Sequence, residues 1–280
     1  MVRIIVLKLL YNFSDDQMEC QLIDRINYKR FCGLANATNV PDRTTMWTFE
    51  NRINEAGAKV LFDGVLPQLL KKGFIARGVQ IIDASLVPAP RQHNGRGEKD
   101  LIEQAAIPAD WKPAKRRQKD VDAARTKKHG KSHFGYMLSI NVDKKRKIIR
   151  RIKSDTASTH DSQHFDNVFD TNNTSRDVYA DRGYPSGERE DWLEANGYRS
   201  QIQRKGKRNK PLFECQQRCY KRFARTRSRV ELLFGALVQM GGKLLRTIGQ
   251  TRANFAMTMM VTGYNLKRLV YFGKSELGAF

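Results

Sequence analysis

The spacing of apolar positions changes character near residue 75. Before that point they recur at helical intervals. After it, short β-branched runs alternate with helical stretches. Met46, Phe49 and Ile53 recur at spacings of three and four, which predicts a helix that starts after Pro41 and ends near Gly57. A separate apolar stretch covers Val60 to Leu70, and Ser14 ahead of Asp15 and Asp16 reads as an N-cap with acids in the first turn. Residues 1–74 are therefore expected to form a small helical region. Such a set of helices is either a packed cap or a helix-turn-helix reader of DNA.

Val79 to Val87 is short and rich in β-branched residues, as a buried strand is. Residues 90–132 combine Lys, Arg, Gly, Pro and Asp with little periodicity and read as a long basic loop or insertion. Residues 134–142 and 147–153 predict a hairpin turning at Asp143–Arg146. A helix from Asp161 to Phe169, a strand at Asp177–Ala180, a helix at 187–196 and a strand at 198–203 follow. Long helices are predicted at about 213–239 and 252–271, the second with Phe255, Met259, Leu266 and Val270 as its core stripe. The order strand, hairpin, helix, strand, helix, strand, helix makes residues 75–280 an α/β domain with a mixed sheet. It is also the element order of the ribonuclease-H-like fold.

Charge narrows the class of partner. The chain of 280 residues carries a formal net charge of +22. Residues 111–155 hold 16 Lys/Arg against 4 Asp/Glu, and residues 204–250 hold 13 against 2. Positive charge concentrated in this way favours a polyanion, because each neutralised phosphate releases counterions. A solvated basic surface and an anionic membrane are the competing readings. No run of about 18 or more apolar residues exists to span a membrane. The apolar opening segment carries Lys8 and lacks a small-residue cleavage site, unlike a signal peptide. Four cysteines in a chain of this size suit a reducing cytoplasm better than a disulfide scaffold.

Three acidic residues stand in apolar settings. Asp83 lies inside a strand, Asp181 where a strand ends, and Glu231 among Val230, Leu232 and Leu233. A carboxylate in such a setting is costly without a partner. Each has a structural reading: a bonded core aspartate, a turn residue, and a helical i, i+4 pair with Arg227. Together they suit phosphoryl transfer, which needs hard divalent cations held by carboxylate oxygens. Other pairings carry less. Cys215 and Cys219 lack two further zinc ligands. His129 and His133 have helical spacing but no acid between them. His160 and Asp161 precede a helix, where Asp161 suits a cap. Trp111, in the basic stretch, suits either base stacking or anchoring of its loop.

Several segments resemble insertion-sequence transposases of the DDE type, in the large group of families four and five. Ile82-Asp83-Ala84-Ser85-Leu86-Val87 looks like their first-aspartate strand, and Val178-Tyr179-Ala180-Asp181-Arg182-Gly183-Tyr184 like their second-aspartate motif. Arg227-Ser228-Arg229-Val230-Glu231-Leu232-Leu233-Phe234-Gly235 resembles the helix that carries their glutamate. Lys127 to Tyr136, Thr159 to Gln163 and Asn39 to Thr45 resemble further family segments in the same order.

The resemblance implies a ribonuclease-H-like catalytic domain over 75–280, with residues 1–74 serving DNA-end binding or dimerisation. It implies two Mg²⁺ ions, with Mn²⁺ as a substitute, on Asp83, Asp181 and Glu231. It also implies hydrolysis at element ends followed by strand transfer into target DNA. Arg227, Lys127, Lys128, Lys131, His133, Arg182 and Lys243 are then the expected DNA contacts. The expected partner is double-stranded DNA, as terminal inverted repeats and as target, gripped by a homodimer in the bacterial cytoplasm.

The sequence departs from the family where lysine often stands, at Val238 and Met137, and both departures remove possible DNA contacts. The chain also opens inside a predicted helix where family members usually carry further residues. A catalytically degenerate or domesticated DNA-binding protein is therefore the second expectation. A general nuclease of the same fold is the third.

Overall fold

A computed structural model describes residues 1–74, 78–90, 92, 95–104, 106–128, 130–204, 206, 212–242 and 245–276. Helices α1 (Val2–Leu10), α2 (Asp15–Asp24), α3 (Ile26–Cys32) and α4 (Arg43–Lys71) precede the sheet. Ser14 and Gln17 cap α2 reciprocally: each side chain accepts the other's backbone N–H. Asp42 caps α4 by accepting from Thr45 N. The two helices predicted between Pro41 and Leu70 are the two parts of α4, separated by a kink at Asn54 with φ of 43°. Its ψ of −160° puts it outside the left-handed helical region that asparagine visits, so the backbone is strained at this point. Its Oδ1 accepts from Ala56 N at 2.8 Å, which restarts the helix.

The rest of the chain runs β1 (Gln80–Pro88), α5 (Arg96–Glu103), α6 (Pro113–Gln118), β2 (Ala124–Lys128), β3 (Lys131–Asp143) and β4 (Ile149–Thr156). It continues with α7 (Phe165–Val168), β5 (Asp177–Ala180), α8 (Gly187–Ala195), β6 (Arg199–Ile202), α9 (Glu214–Leu237) and α10 (Gln250–Glu276). β3 pairs antiparallel with β1, while β1, β5 and β6 run parallel. β2 and β4 share the outer edge of β3, β2 against Lys131–Gly135 and β4 against Tyr136–Val142. This mixed sheet flanked by helices, preceded by a helical region, is the ribonuclease-H-like α/β fold.

Of the two readings of 90–132, a loop without elements of its own is corrected: α5, α6 and β2 lie inside it. β2 is an edge strand whose Arg125, Lys127 and Lys128 are exposed, so it carries no apolar alternation to read. Trp111 is buried and donates from Nε1 to Glu98 at 2.9 Å, and Lys115 also pairs with Glu98. Its role is to anchor α5 to α6, and its buried ring is not presented for base stacking.

Period-two alternation sends β1 side chains into two layers. Ile81 packs with Val230, Leu233 and Leu237 of α9 and with Met257 and Val261 of α10. Ile82 packs on the other face with Phe165, Val168, Val178 and Leu193. Burying each isoleucine stabilises the fold by about 1.5–3 kcal/mol. α10 is apolar on more than one side because Phe255 and Met259 also pack on Ile5 and Val6 of α1 and Ala58 of α4. The helical region is thus a cap seated on α10. Of the predicted stripe, Leu266 is partly buried and Val270 is exposed. No described helix is long and apolar enough to cross a membrane.

Candidate active site

The two aspartates are brought together by strand register. In the parallel pair β1–β5, Gln80 lies opposite Val178 and Ile81 opposite Tyr179. Two residues further along each chain, Asp83 and Asp181 stand at the same level, Asp181 just beyond the end of β5. Alternation points Asp83 to the same face as Ile81, toward α9.

From α9, Arg227 reaches both. Its Nη1 donates to Asp83 Oδ2 at 3.1 Å, and its Nη2 lies 3.5 Å from Asp181 Oδ1. The three side chains are 12% (Asp83), 20% (Arg227) and 39% (Asp181) exposed, so the site opens to solvent on the Asp181 side. Asp83 Oδ1 also accepts from Ala84 N at 2.9 Å. Burial pushes the Asp83 carboxyl up to about 6, against the lowering pull of Arg227 and Ala84 N–H, and Asp181 pushes it the same way as burial. The positive charge of Lys128 also acts on it.

Glu231 is not gathered into this pair. It lies one turn beyond Arg227 on α9, exposed, and makes no ion pair among the described residues. The i, i+4 pair open to it is not formed, because Arg227 turns to the two aspartates instead. Among the described residues, no three His, Cys, Asp or Glu side chains stand close enough to hold one metal ion. Asp83 and Asp181 are hard oxygen donors whose mutual repulsion is relieved by a cation, and that chemistry fits Mg²⁺.

The expected DNA contacts fall in two places. Lys127, Lys128, Lys131 and His133 lie on the β2–β3 hairpin, with Lys128 opposite Lys131 and Thr126 opposite His133. Lys127, Lys128 and Lys131 are exposed. Gly135 seats this hairpin: a Cβ there would stand 2.7 Å from Ala89 N and closer still to the carbonyl oxygen of Val87. A cavity of about 370 Å³, with Ala84, Ser85, Lys128, His133, Phe234 and Val238 in its wall, runs between hairpin and α9. Arg182 is exposed immediately after Asp181. Lys243 and His129 lie outside the described residues. Met137 is buried in β3, so the residue at that position packs the sheet and is not a surface contact.

One neighbour was not legible in the sequence. Asp161 does not cap the 3₁₀ turn Asp161–His164; His160 does, its ring nitrogen accepting from Ser162 N at 3.2 Å. The Asp161 carboxylate instead lies against Gly183, where a Cβ would stand 3.2 Å from Oδ1. Arg189 of α8 holds the two segments together, donating to Ser162 O at 2.8 Å and to Tyr184 O.

Residues 76–266 match the family model described as the transposase DDE domain. Residues 1–52 match a second, described as a transposase domain (DUF772). No solved structure matches the chain. With more than half of its length matched by the first model, the chain belongs to the DDE-domain transposases.

Proposed function

We propose that the chain is an insertion-sequence transposase of family five, within the wider family-four group, that cuts DNA at element ends and transfers the strand into a target. The observation that carries this reading is the pair Asp83 and Asp181, set level on adjacent parallel strands and sharing one arginine. Asp83, Asp181 and Glu231 are the residues that would hold two Mg²⁺ ions, or Mn²⁺ in their place. When bound, such ions supply charge neutralisation at the attacking and leaving oxygens of phosphoryl transfer.

The protein's own groups do the rest. Asp83 and Asp181 bind from the sheet. Arg227 balances their charge and fixes their separation. Lys127, Lys128, Lys131 and His133 on the hairpin, with Arg182, Arg227 and Lys243, hold DNA phosphates and so set the duplex against the carboxylates. Two element ends must be joined, so the working unit is a homodimer on double-stranded DNA. The test is a duplex bearing the terminal repeat, offered to wild type and to Asp83→Asn with Mg²⁺. The variant is expected to lose cleavage while keeping or raising DNA affinity. Loss of both in a folded variant argues against this role.

A second reading has an observation of its own. Glu231 stands exposed and apart from the pair, and Val238 replaces a lysine that family members often carry. A degenerate or domesticated copy would bind DNA in a salt-dependent way and cut no duplex with either ion.

A further inference from the structure

The flank of α9 that faces away from the carboxylate pair carries a row of exposed cations. Arg218, Arg222, Arg225 and Arg229 follow one another at spacings of four, three and four. At 3.6 residues per turn these positions fall within an arc of about 60°, along about 16 Å of helix. All four are exposed, and Lys221 stands exposed beside them. Counted the same way, each of the four lies about 140–180° around the helix from Arg227. Neighbouring elements fix the two flanks. Arg227 reaches Asp83 and Asp181 on one. There Phe234 and Val238 share a cavity wall with Lys128 and His133 of the hairpin. On the other, Arg229 donates from Nη1 to the carbonyl oxygen of Lys144 at 3.3 Å. The row therefore runs toward the β3–β4 turn, where Lys145 is also exposed.

This row has no acidic counterpart. α9 carries two acids, Glu214 and Glu231. Glu231 lies toward the Arg227 side, and Glu214 stands one turn before Arg218. Among the described residues, the ion pairs that α9 makes are those of Arg227 with Asp83 and Asp181. Arg222 donates to Cys219 Sγ at 3.1 Å, a contact that leaves its charge uncompensated. Like charges one turn apart on a helix repel each other. A face that is only solvated interleaves acids with its bases, and this one does not. A polyanion laid along it relieves the repulsion and releases counterions.

We propose, resting on the reading of the hairpin as a duplex-binding surface, that this arginine row is a second surface for double-stranded DNA, so that one protomer holds two duplexes at once on opposite flanks of α9. A duplex carries one phosphate charge per about 1.7 Å of its axis, so a row of about 16 Å meets several. Guanidinium groups suit phosphates because they bind them bidentately. Duplex DNA is stiff, with a persistence length of about 50 nm. One short segment therefore cannot bend around a helix about 10–12 Å across to touch both flanks. The row contacts backbone and not base edges, so it takes any sequence and is weakened by salt.

The test counts labelled duplexes of one helical turn, about 34 Å long, bound per protomer of the full chain by analytical ultracentrifugation, with thermal unfolding recorded for each variant. Wild type is expected to bind two per protomer. The variant with Arg218, Arg222, Arg225 and Arg229 all changed to Gln is expected to bind one, and so is the variant with Lys127, Lys128 and Lys131 changed to Gln. One duplex per protomer in the wild type, or two in the arginine variant, overturns the proposal; loss of a duplex in the lysine variant then leaves the hairpin reading standing. Binding unchanged in the lysine variant, or absent from the wild type, overturns the hairpin reading and this one with it. Where the fourfold variant fails to fold, Arg225→Glu decides. It is expected to weaken the second duplex about tenfold or more, and wild-type affinity for both duplexes overturns the proposal.

Discussion

Arg227 donates to Asp83 across 144 positions of the chain, at 3.1 Å, from a helix to the middle of a strand. The contact fastens α9 over the middle of β1. Its second arm extends to Asp181, so a single guanidinium balances two carboxylates that would otherwise repel. Arg227→Ala is expected to destabilise the protein by about 1–3 kcal/mol at pH 7.5, because a largely buried carboxylate loses its counter-charge. The loss shrinks toward pH 5, where Asp83 takes up a proton. Urea denaturation at the two pH values measures it. An equal loss at both would mean that Arg227 contributes by packing and not by charge.

Asp83 makes the opposite prediction. Its carboxyl is raised to about 6, burial being the largest cause, whereas the unfolded chain titrates near 3.9. The folded state therefore binds the extra proton between those values, and stability falls as pH rises from about 4 to 6. Above pH 6 the ionised group is a standing cost. Asp83→Asn removes it and is expected to stabilise the protein by an amount on the order of 2–3 kcal/mol at pH 7.5. The gain should disappear near pH 4. A variant less stable than wild type at pH 7.5 would contradict the assignment of burial as the dominant effect.

The hairpin predicts the salt dependence of DNA binding. Lys127, Lys128 and Lys131 are exposed on β2 and at the start of β3. Replacing all three by Gln is expected to reduce the slope of log affinity against log salt by roughly 2 to 3, about one per lost phosphate contact. Fluorescence anisotropy over a salt series gives the slope. An unchanged slope would place the DNA elsewhere on the molecule.

Gly135→Ala tests how the hairpin is seated. The added methyl meets the backbone of Val87 and Ala89, which cannot move without disturbing β1. A loss of roughly 2 kcal/mol or more is expected from equilibrium unfolding, of the size that such strain and overpacking produce. A neutral substitution would show that β3 can draw back from β1 at this point.

The sheet and its long helices were legible because their apolar periods are strong. The strands around Asp83 and Asp181, and the helix bearing Arg227 and Glu231, fall close to where the sequence puts them. β2 was not legible, since Arg125, Lys127 and Lys128 leave an edge strand with the composition of a loop. Two helices were legible between Pro41 and Leu70 because periodicity is interrupted between them, and the backbone kinks there, at Asn54. Arg227 illustrates a limit of local spacing: its helical neighbour Glu231 offers an i, i+4 pair, but two buried or half-buried carboxylates across the sheet outcompete a solvated one. Asp161 meets the turn after Asp181 only at Gly183, a contact that no periodicity encodes.

The most direct test of the central claim is cleavage of an end-labelled duplex carrying the element's terminal repeat, with Mg²⁺ and then Mn²⁺, by wild type beside Asp181→Asn. The account predicts nicks at the repeat boundary from wild type, none from the variant, and none on a scrambled duplex. Nicks that persist in Asp181→Asn, or a wild type that binds the repeat and cuts nothing with either ion, would contradict it.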